Sequence, residues 1–151
     1  MAHRDLREFT DALQSGGDLV TIDDEVDWDQ ELAGIGRLSC ERDGPAFMFN
    51  NVKDYAGWRV LANPVTGWRR YAVALGLPAG TPIRELYKIY AQREQNPIQP
   101  ILVNSSPCKE VIIPKSDIDL FDLPVPMVHD GDGGRYLGTW DLVISKDRDT
   151  G

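Results

Sequence analysis

Between Leu123 and Ser145 the chain changes its rule of construction. Leu123-Pro124-Val125-Pro126 breaks regular structure, Asp130-Gly131-Asp132-Gly133-Gly134 supplies a turn, and residues 136–145 then alternate. Proline fixes φ and removes a backbone donor, so an extended segment reached through such a stretch begins as a new element. Its period of two predicts a strand with Tyr136, Gly138, Trp140, Leu142 and Ile144 on one face. Arg135, Leu137, Thr139, Asp141 and Val143 then share the other face. The first face is core-like. The second is mixed enough to line a pocket, with Thr139 able to donate and accept a hydrogen bond. Thr139 also suits a half-buried strand by β-propensity alone, and the residues leave both readings open.

Upstream, helices and strands mix. Leu6, Phe9 and Leu13 recur at helical spacing, with Asp5 as the expected N-cap and Gly16-Gly17 as the stop. Leu19-Val20-Thr21-Ile22, bounded by glycine and Asp23-Asp24, predicts a short strand. Leu32, Ile35 and Leu38 predict the buried face of a second helix, which Gly34 and Gly36 weaken by about 1 kcal/mol each in propensity; Gly44-Pro45 closes it. Ala46-Phe47-Met48-Phe49 and residues 59–62 predict two neighbouring strands. Residues 69–77 are helix-compatible. A further helix starts at Thr81-Pro82, with Thr81 as cap and Ile83, Leu86, Tyr87 and Tyr90 on its apolar face. Ile101-Leu102-Val103 and Val111-Ile112-Ile113 predict strands joined through Asn104-Ser105-Ser106-Pro107. Proline and polar residues at 114–116 mark a boundary. The expected architecture is therefore an α/β (α+β) domain over residues 1–115, followed at 116–151 by a linker and a second unit.

At 151 residues and 42% hydrophobic content the chain can bury one sizeable core and part of another. A net charge of -8 argues against nucleic acid or an anionic membrane as partner, because phosphate binding needs clustered cations. The densest basic stretch, Trp68-Arg69-Arg70-Tyr71, is expected to be a solvated helix face. Cys40 and Cys108 form neither a disulfide framework nor a CxxC motif, and read as buried or incidental thiols. The charged N-terminus has no apolar signal region, and no stretch approaches the about 18 apolar residues of a membrane span, which points to a cytoplasmic setting. Asn104-Ser105-Ser106 fits a glycosylation sequon by chance in that setting.

Few residues carry recognisable chemistry. The D-x-D opening of residues 130–134 fails as a calcium loop because Gly134 stands where a third oxygen ligand belongs, so a turn with positive φ is expected. The same residues lack the lysine and following helix of a phosphate loop. His129, beside Asp130, is expected in a surface turn, and neither it nor His3 has partners at metal-ligand spacing. Asp23, Asp24, Glu25, Asp27 and Asp29 read as a solvated turn and helix N-terminus, where negative charge complements the macrodipole. No catalytic side chain and no metal ligand is assigned from these patterns.

Several segments carry a likeness in their order as well as their content. They are Asp5-Leu6-Arg7-Glu8-Phe9, Gly44-Pro45-Ala46-Phe47-Met48-Phe49-Asn50-Asn51-Val52-Lys53 and Val60-Leu61-Ala62-Asn63. Asp117-Ile118-Asp119-Leu120 through Leu123-Pro124, and Gly133-Gly134-Arg135-Tyr136, complete the series. Together they resemble the N-terminal portion of the UbiD-like, prenylated-flavin-dependent decarboxylases, and the second segment is similar to members acting on hydroxylated aromatic acids. The resemblance implies that residues 136–145 are the first strand of a split β-barrel flavin domain. It further implies reversible, non-oxidative decarboxylation of aromatic or α,β-unsaturated acids on prenylated FMN with Mn²⁺ and K⁺, in a homo-oligomer. The family's proton-transferring Glu-Arg-Glu network and metal ligands match positions after Gly151, so this chain alone is expected to be inactive. Thr139 is the one position that matches a cofactor- and substrate-facing residue. The alternative is a stand-alone non-catalytic subunit that pairs with a separate catalytic chain. A small flavin-binding protein without decarboxylase activity is a third reading, disfavoured by the lack of a phosphate anchor.

Overall fold

The computed structural model describes residues 3–99, 101–137 and 145–150. Four helices and three strands occur among them: α1 (Leu6–Ser15), β1 (Leu19–Ile22), α2 (Glu31–Glu41), β2 (Ala46–Phe49), β3 (Val60–Ala62), α3 (Trp68–Ala74) and α4 (Ile83–Glu94). Three single 3-10 turns follow, at Pro107–Lys109, Lys115–Asp117 and Leu120–Asp122. The class is mixed α/β, as expected.

The strands form one sheet in the order β1-β2-β3. β1 and β2 are parallel and joined by α2, so Leu19 faces Ala46 and Ile22 faces Phe49, while β3 returns antiparallel with Phe47 opposite Ala62. A parallel pair needs a crossover, and α2 supplies it. A bridge between Val26 and Val52 prolongs the parallel pairing beyond the strands.

Alternation along β2 divides the core in two. Ala46 and Met48 point to the side where Phe9 and Leu13 of α1, Leu19, Leu61, and Val73 and Ala74 of α3 pack. Phe47 and Phe49 point to the other side, against Leu32 and Ile35 of α2, Val26, Val52, Val60 and Ala62. Leu13, Ala46 and Phe49 are wholly buried. The sheet thus carries helices on both faces.

Local signals explain the first half well. Asp5 caps α1 by accepting from the Glu8 N–H at 2.9 Å, and this backbone hydrogen bond is the main cause holding its carboxyl below the usual range. Gly17, at φ +73°, turns the chain from α1 into β1. Several details depart from expectation. The buried positions of α2 are Leu32, Gly36 and Ser39, whereas Leu38 is exposed. Gly36 is buried because β3 ends against it: Asn63 donates through Nδ2 to the Gly36 carbonyl, and a β-carbon there would lie 3.1 Å from that nitrogen. Thr81 does not cap α4. Its hydroxyl donates to the Pro78 carbonyl, and Pro82 occupies the cap position.

The Trp68-Arg69-Arg70-Tyr71 stretch is a solvated face only in part: Trp68 and Arg69 are exposed, whereas Arg70 is buried. Arg69 forms a forked pair with the buried Asp18, at 2.7 and 2.9 Å, and the buried Arg70 donates to the Gly44 carbonyl at 2.6 Å. Burial pushes the Arg70 pKa down, opposed by Asp18 and other nearby charges. The two arginines tie α3 to the ends of β1 and α2. Both cysteines are free and exposed, so of the two expectations, buried or incidental, burial does not hold.

The predicted strands at 101–103 and 111–113 do not form. These residues are irregular and their apolar side chains face outward, Leu102 completely so. An apolar run becomes a strand only where an edge accepts its backbone groups, and no such edge meets them among the described residues.

Candidate functional site

The site grows from the seam where residues 121–135 return to the first domain. Met127 lies beside Asp29 in a parallel bridge: its N–H donates to the Trp28 carbonyl at 3.0 Å, and its carbonyl accepts from the Gln30 N–H at 2.9 Å. Gln30 holds φ +67° at the start of α2, an uncommon conformation for a residue with a β-carbon. A local cost held in place by tertiary contacts is characteristic of positions that the surrounding structure over-determines.

Beyond Met127 the chain turns. Asp132 accepts from the His129 N–H at 3.1 Å, and its carboxylate lies 3.4 Å from the His129 ring nitrogen Nδ1. The glycines of the turn stay out of the left-handed region, so the expectation of positive φ is not met; the turn is closed by the Asp132 N–H, which donates to the His129 carbonyl at 3.2 Å, together with the side-chain hydrogen bond. His129 is thus placed in a surface turn as expected, with Asp132 rather than Asp130 as its partner.

Arg135 then enters an aromatic cage. Its guanidinium carbon lies 4.5 Å from the Trp28 ring centroid, 5.0 Å from that of Phe121 and 5.9 Å from that of Tyr55. Nη1 donates to the Tyr55 hydroxyl at 2.7 Å. The attraction comes from the negative faces of the rings, and the planar fork of arginine fits stacking and hydrogen bonding together. Next to the cage is an open hollow of about 570 Å³ lined by Trp28, Phe121, Met127, Arg135 and the carboxyl-bearing Asp29 and Asp130. A second hollow, about 810 Å³, runs between α2 and β3, with Pro126 and Val128 on its wall. A third, about 620 Å³, is lined by Trp68, Tyr71, Leu86, Tyr87 and Tyr90 of α3 and α4.

Charge near the seam is locally paired. Asp27 accepts from Lys53 and from the Asp29 N–H, and these hydrogen bonds, Lys53 first, hold its carboxyl below the usual range. The same contact raises Lys53. The Asp27 N–H also donates to Glu31 at 2.7 Å, so the acidic run serves the entry to α2.

Thr139 lies outside the described residues. Tyr136 and Leu137, the first residues of the predicted strand, are irregular and exposed, so a regular strand does not begin at 136. Sequence reasoning placed Arg135 on the Thr139 face and missed the cage, because Trp28, Tyr55 and Phe121 are far apart in the chain. The one signal was the Gly-Gly-Arg-Tyr segment itself. Among the described residues no group of three or more His, Cys, Asp or Glu side chains is arranged to hold a metal. Nor is there a glycine-rich strand-to-helix turn to cradle a phosphate. The described residues therefore offer neither a cluster of side chains for Mn²⁺ nor a phosphate-cradling turn for a flavin.

Comparison with known proteins supplies the context of the seam. A family model described as the 3-octaprenyl-4-hydroxybenzoate carboxy-lyase N-terminal domain matches residues 10–90, and one described as the Rift-related domain of the same carboxy-lyase matches residues 101–151. A phenolic acid decarboxylase of Streptomyces sp. (strain D7) is 38% identical over 153 aligned residues, which cover 97% of this chain and 32% of the relative. The open form of the vanillic acid decarboxylase of Sedimentibacter hydroxybenzoicus matches with a TM-score of 0.82 at 32% identity, over 89% of this chain and 30% of that one. An evolved dimeric form of the UbiD-class enzyme HmfF from Pelotomaculum thermopropionicum, in complex with prFMN, matches with a TM-score of 0.76 at 30% identity. That match covers 88% of this chain and 30% of that one. The chain spans about a third of the length of the curated relatives it matches.

Proposed function

The chain belongs to the UbiD carboxy-lyase family, and from that premise we propose that it is the N-terminal part of a reversible, non-oxidative decarboxylase. The substrate class is aromatic, and in particular phenolic, or α,β-unsaturated carboxylic acids. The observation that carries the reading is continuity. Likeness to a phenolic acid decarboxylase runs through 97% of the chain, across both matched domains and the seam between them.

In this reading residues 1–115 are the N-terminal α/β domain. Residues 116–151 are the linker and start of a split-barrel flavin domain, with Thr139 facing the cofactor and substrate. The second family model begins at residue 101, so an alternative division ends the N-terminal domain just before that residue and gives the run 101–113 to the flavin domain instead. Prenylated FMN is the cofactor by analogy with the prFMN complex of the Pelotomaculum enzyme. Ligands for Mn²⁺ and K⁺ lie outside the described residues. The described part of this chain supplies scaffold and seam, and the reacting carboxylates belong to other residues, so the chain alone is inactive. The protein acts as a homo-oligomer in the cytoplasm; among the described residues no helix is long and apolar enough to cross a membrane.

The test is a pair of carbon dioxide release assays on phenolic acids with prenylated FMN. The full reading frame is expected to turn over and this chain alone to give nothing. Turnover by the isolated chain, or its absence from the cofactor-loaded full protein across phenolic, heteroaromatic and unsaturated acids, would overturn the proposal.

A further inference from the structure

The seam is fastened at two points, and the second does more than hold. A strand pinned only through the Met127 bridge can pivot about it. Arg135, after the turn closed by His129 and Asp132, adds a second attachment and removes that freedom. Its three rings come from three places: Trp28 from the approach to α2, Tyr55 from the loop between β2 and β3, and Phe121 from the turn Leu120–Asp122. Among the described residues these three rings do not stack on one another, so the guanidinium is their common partner. An apolar side chain would fill the same space. It would not set an orientation, whereas the bond from Nη1 to the Tyr55 hydroxyl fixes the plane of the guanidinium against the first domain.

We propose that Arg135 is a positioning residue: by holding residues 121–137 against Trp28 and Tyr55 of the first domain, it orients the stretch through which the chain enters the flavin domain. That this stretch leads into a flavin domain is the reading given above, and the inference rests on it for its functional half. Its structural half stands alone. Precise placement matters because a pocket residue displaced by about 1 Å loses most of its effect on a bound group.

The experiment compares native protein with Arg135→Ala, Arg135→Lys and Tyr55→Phe through two readouts. Hydrogen exchange on this chain should show residues 121–137 exchanging at least about tenfold faster in Arg135→Ala, with β1, β2 and β3 within about twofold of native. FMN titration of the full-length protein should show affinity falling about tenfold or more in Arg135→Ala. In Arg135→Lys and in Tyr55→Phe the loss should be intermediate, about threefold to fivefold, because each keeps a cation over the rings but loses the bond that fixes the guanidinium plane. Exchange that is unchanged, or that rises equally throughout, would show that no local latch exists. Faster local exchange with unaltered FMN affinity would overturn the positioning role and leave only a staple. A native full-length protein that fails to bind FMN would sink the functional reading, and that result is distinct from native binding with an indifferent variant.

Discussion

Ala46-Phe47-Met48-Phe49 and Val111-Ile112-Ile113 are apolar runs of the same kind, each with proline close by and polar residues beyond, yet they meet opposite ends. The first is β2, paired on both edges, with Ala46 and Phe49 at 0% exposure. In the second, the three side chains are 78%, 79% and 60% exposed and no strand pairing occurs among the described residues. Strand propensity favours the second run if anything, since it is wholly β-branched. What separates them is company. β2 has β1 and β3 to take its backbone groups and helices on both faces to take its side chains, and an unpaired run has neither.

The contrast can be broken at its strongest point. Phe49→Ala removes a wholly buried ring from the α2 side of the sheet and is expected to cost about 3–5 kcal/mol of unfolding free energy. Urea denaturation followed by far-UV circular dichroism measures it, and a loss below about 1 kcal/mol would mean that the buried run depends on its neighbours no more than the exposed one.

Gly36→Ala probes the approach of α2 to β3. The added carbon would meet Asn63 Nδ2 at 3.1 Å, so about 1–3 kcal/mol should be lost to overpacking. Gly34, with open space around it, gives the control: Gly34→Ala should be neutral or stabilising through helix propensity alone. Equal effects at the two glycines would remove the close-approach argument.

A smaller effect is expected from pH. Asp27 has a lowered pKa, so its pairing with Lys53 supports the fold above the usual Asp value of about 3.9 and is lost as pH falls through the lowered value. Lys53 is raised, so its share is complete below about 10.4 and is lost as pH rises through the raised value. Lys53→Met should therefore flatten the acid limb of the urea midpoint against pH, and an acid limb identical to that of the native chain would discard the pair.

The smallest effect closes the comparison. Ile112→Ser in this chain should change unfolding free energy by less than about 0.5 kcal/mol, since the side chain it replaces is already in water. A loss approaching that of Phe49→Ala would show that the second run packs after all.

Much of the first half was legible in order and type. Asp5, Gly16-Gly17 and the spacing of Phe9 and Leu13 gave α1 with its cap, and β1 and β2 appear at their expected residues. Cap chemistry and short-range period act within a few residues, where sequence is direct evidence of contact. The errors lie where a partner from elsewhere decides. Leu38 fits the apolar face of α2 by spacing, but β3 and Asn63 come against Gly36 and turn the helix so that Leu38 faces out. Arg70 looks like a surface charge until the Gly44 carbonyl is brought to it, and the exposed Arg69 gives no sign of its pairing with Asp18. Arg135 was legible as part of a segment resembling a known family, and illegible as the occupant of a cage.

Local order and alternation belong to the sequence by itself: which residues cap, which stop a helix, and which side of β2 each residue must face, because these follow from backbone geometry over distances of one or two turns. Tertiary structure alone decided which apolar runs became strands, which glycine bears on a neighbour and where Arg135 rests. Those outcomes depend on groups supplied by remote segments, and a buried polar or apolar group takes its state from whatever surrounds it after the chain has closed.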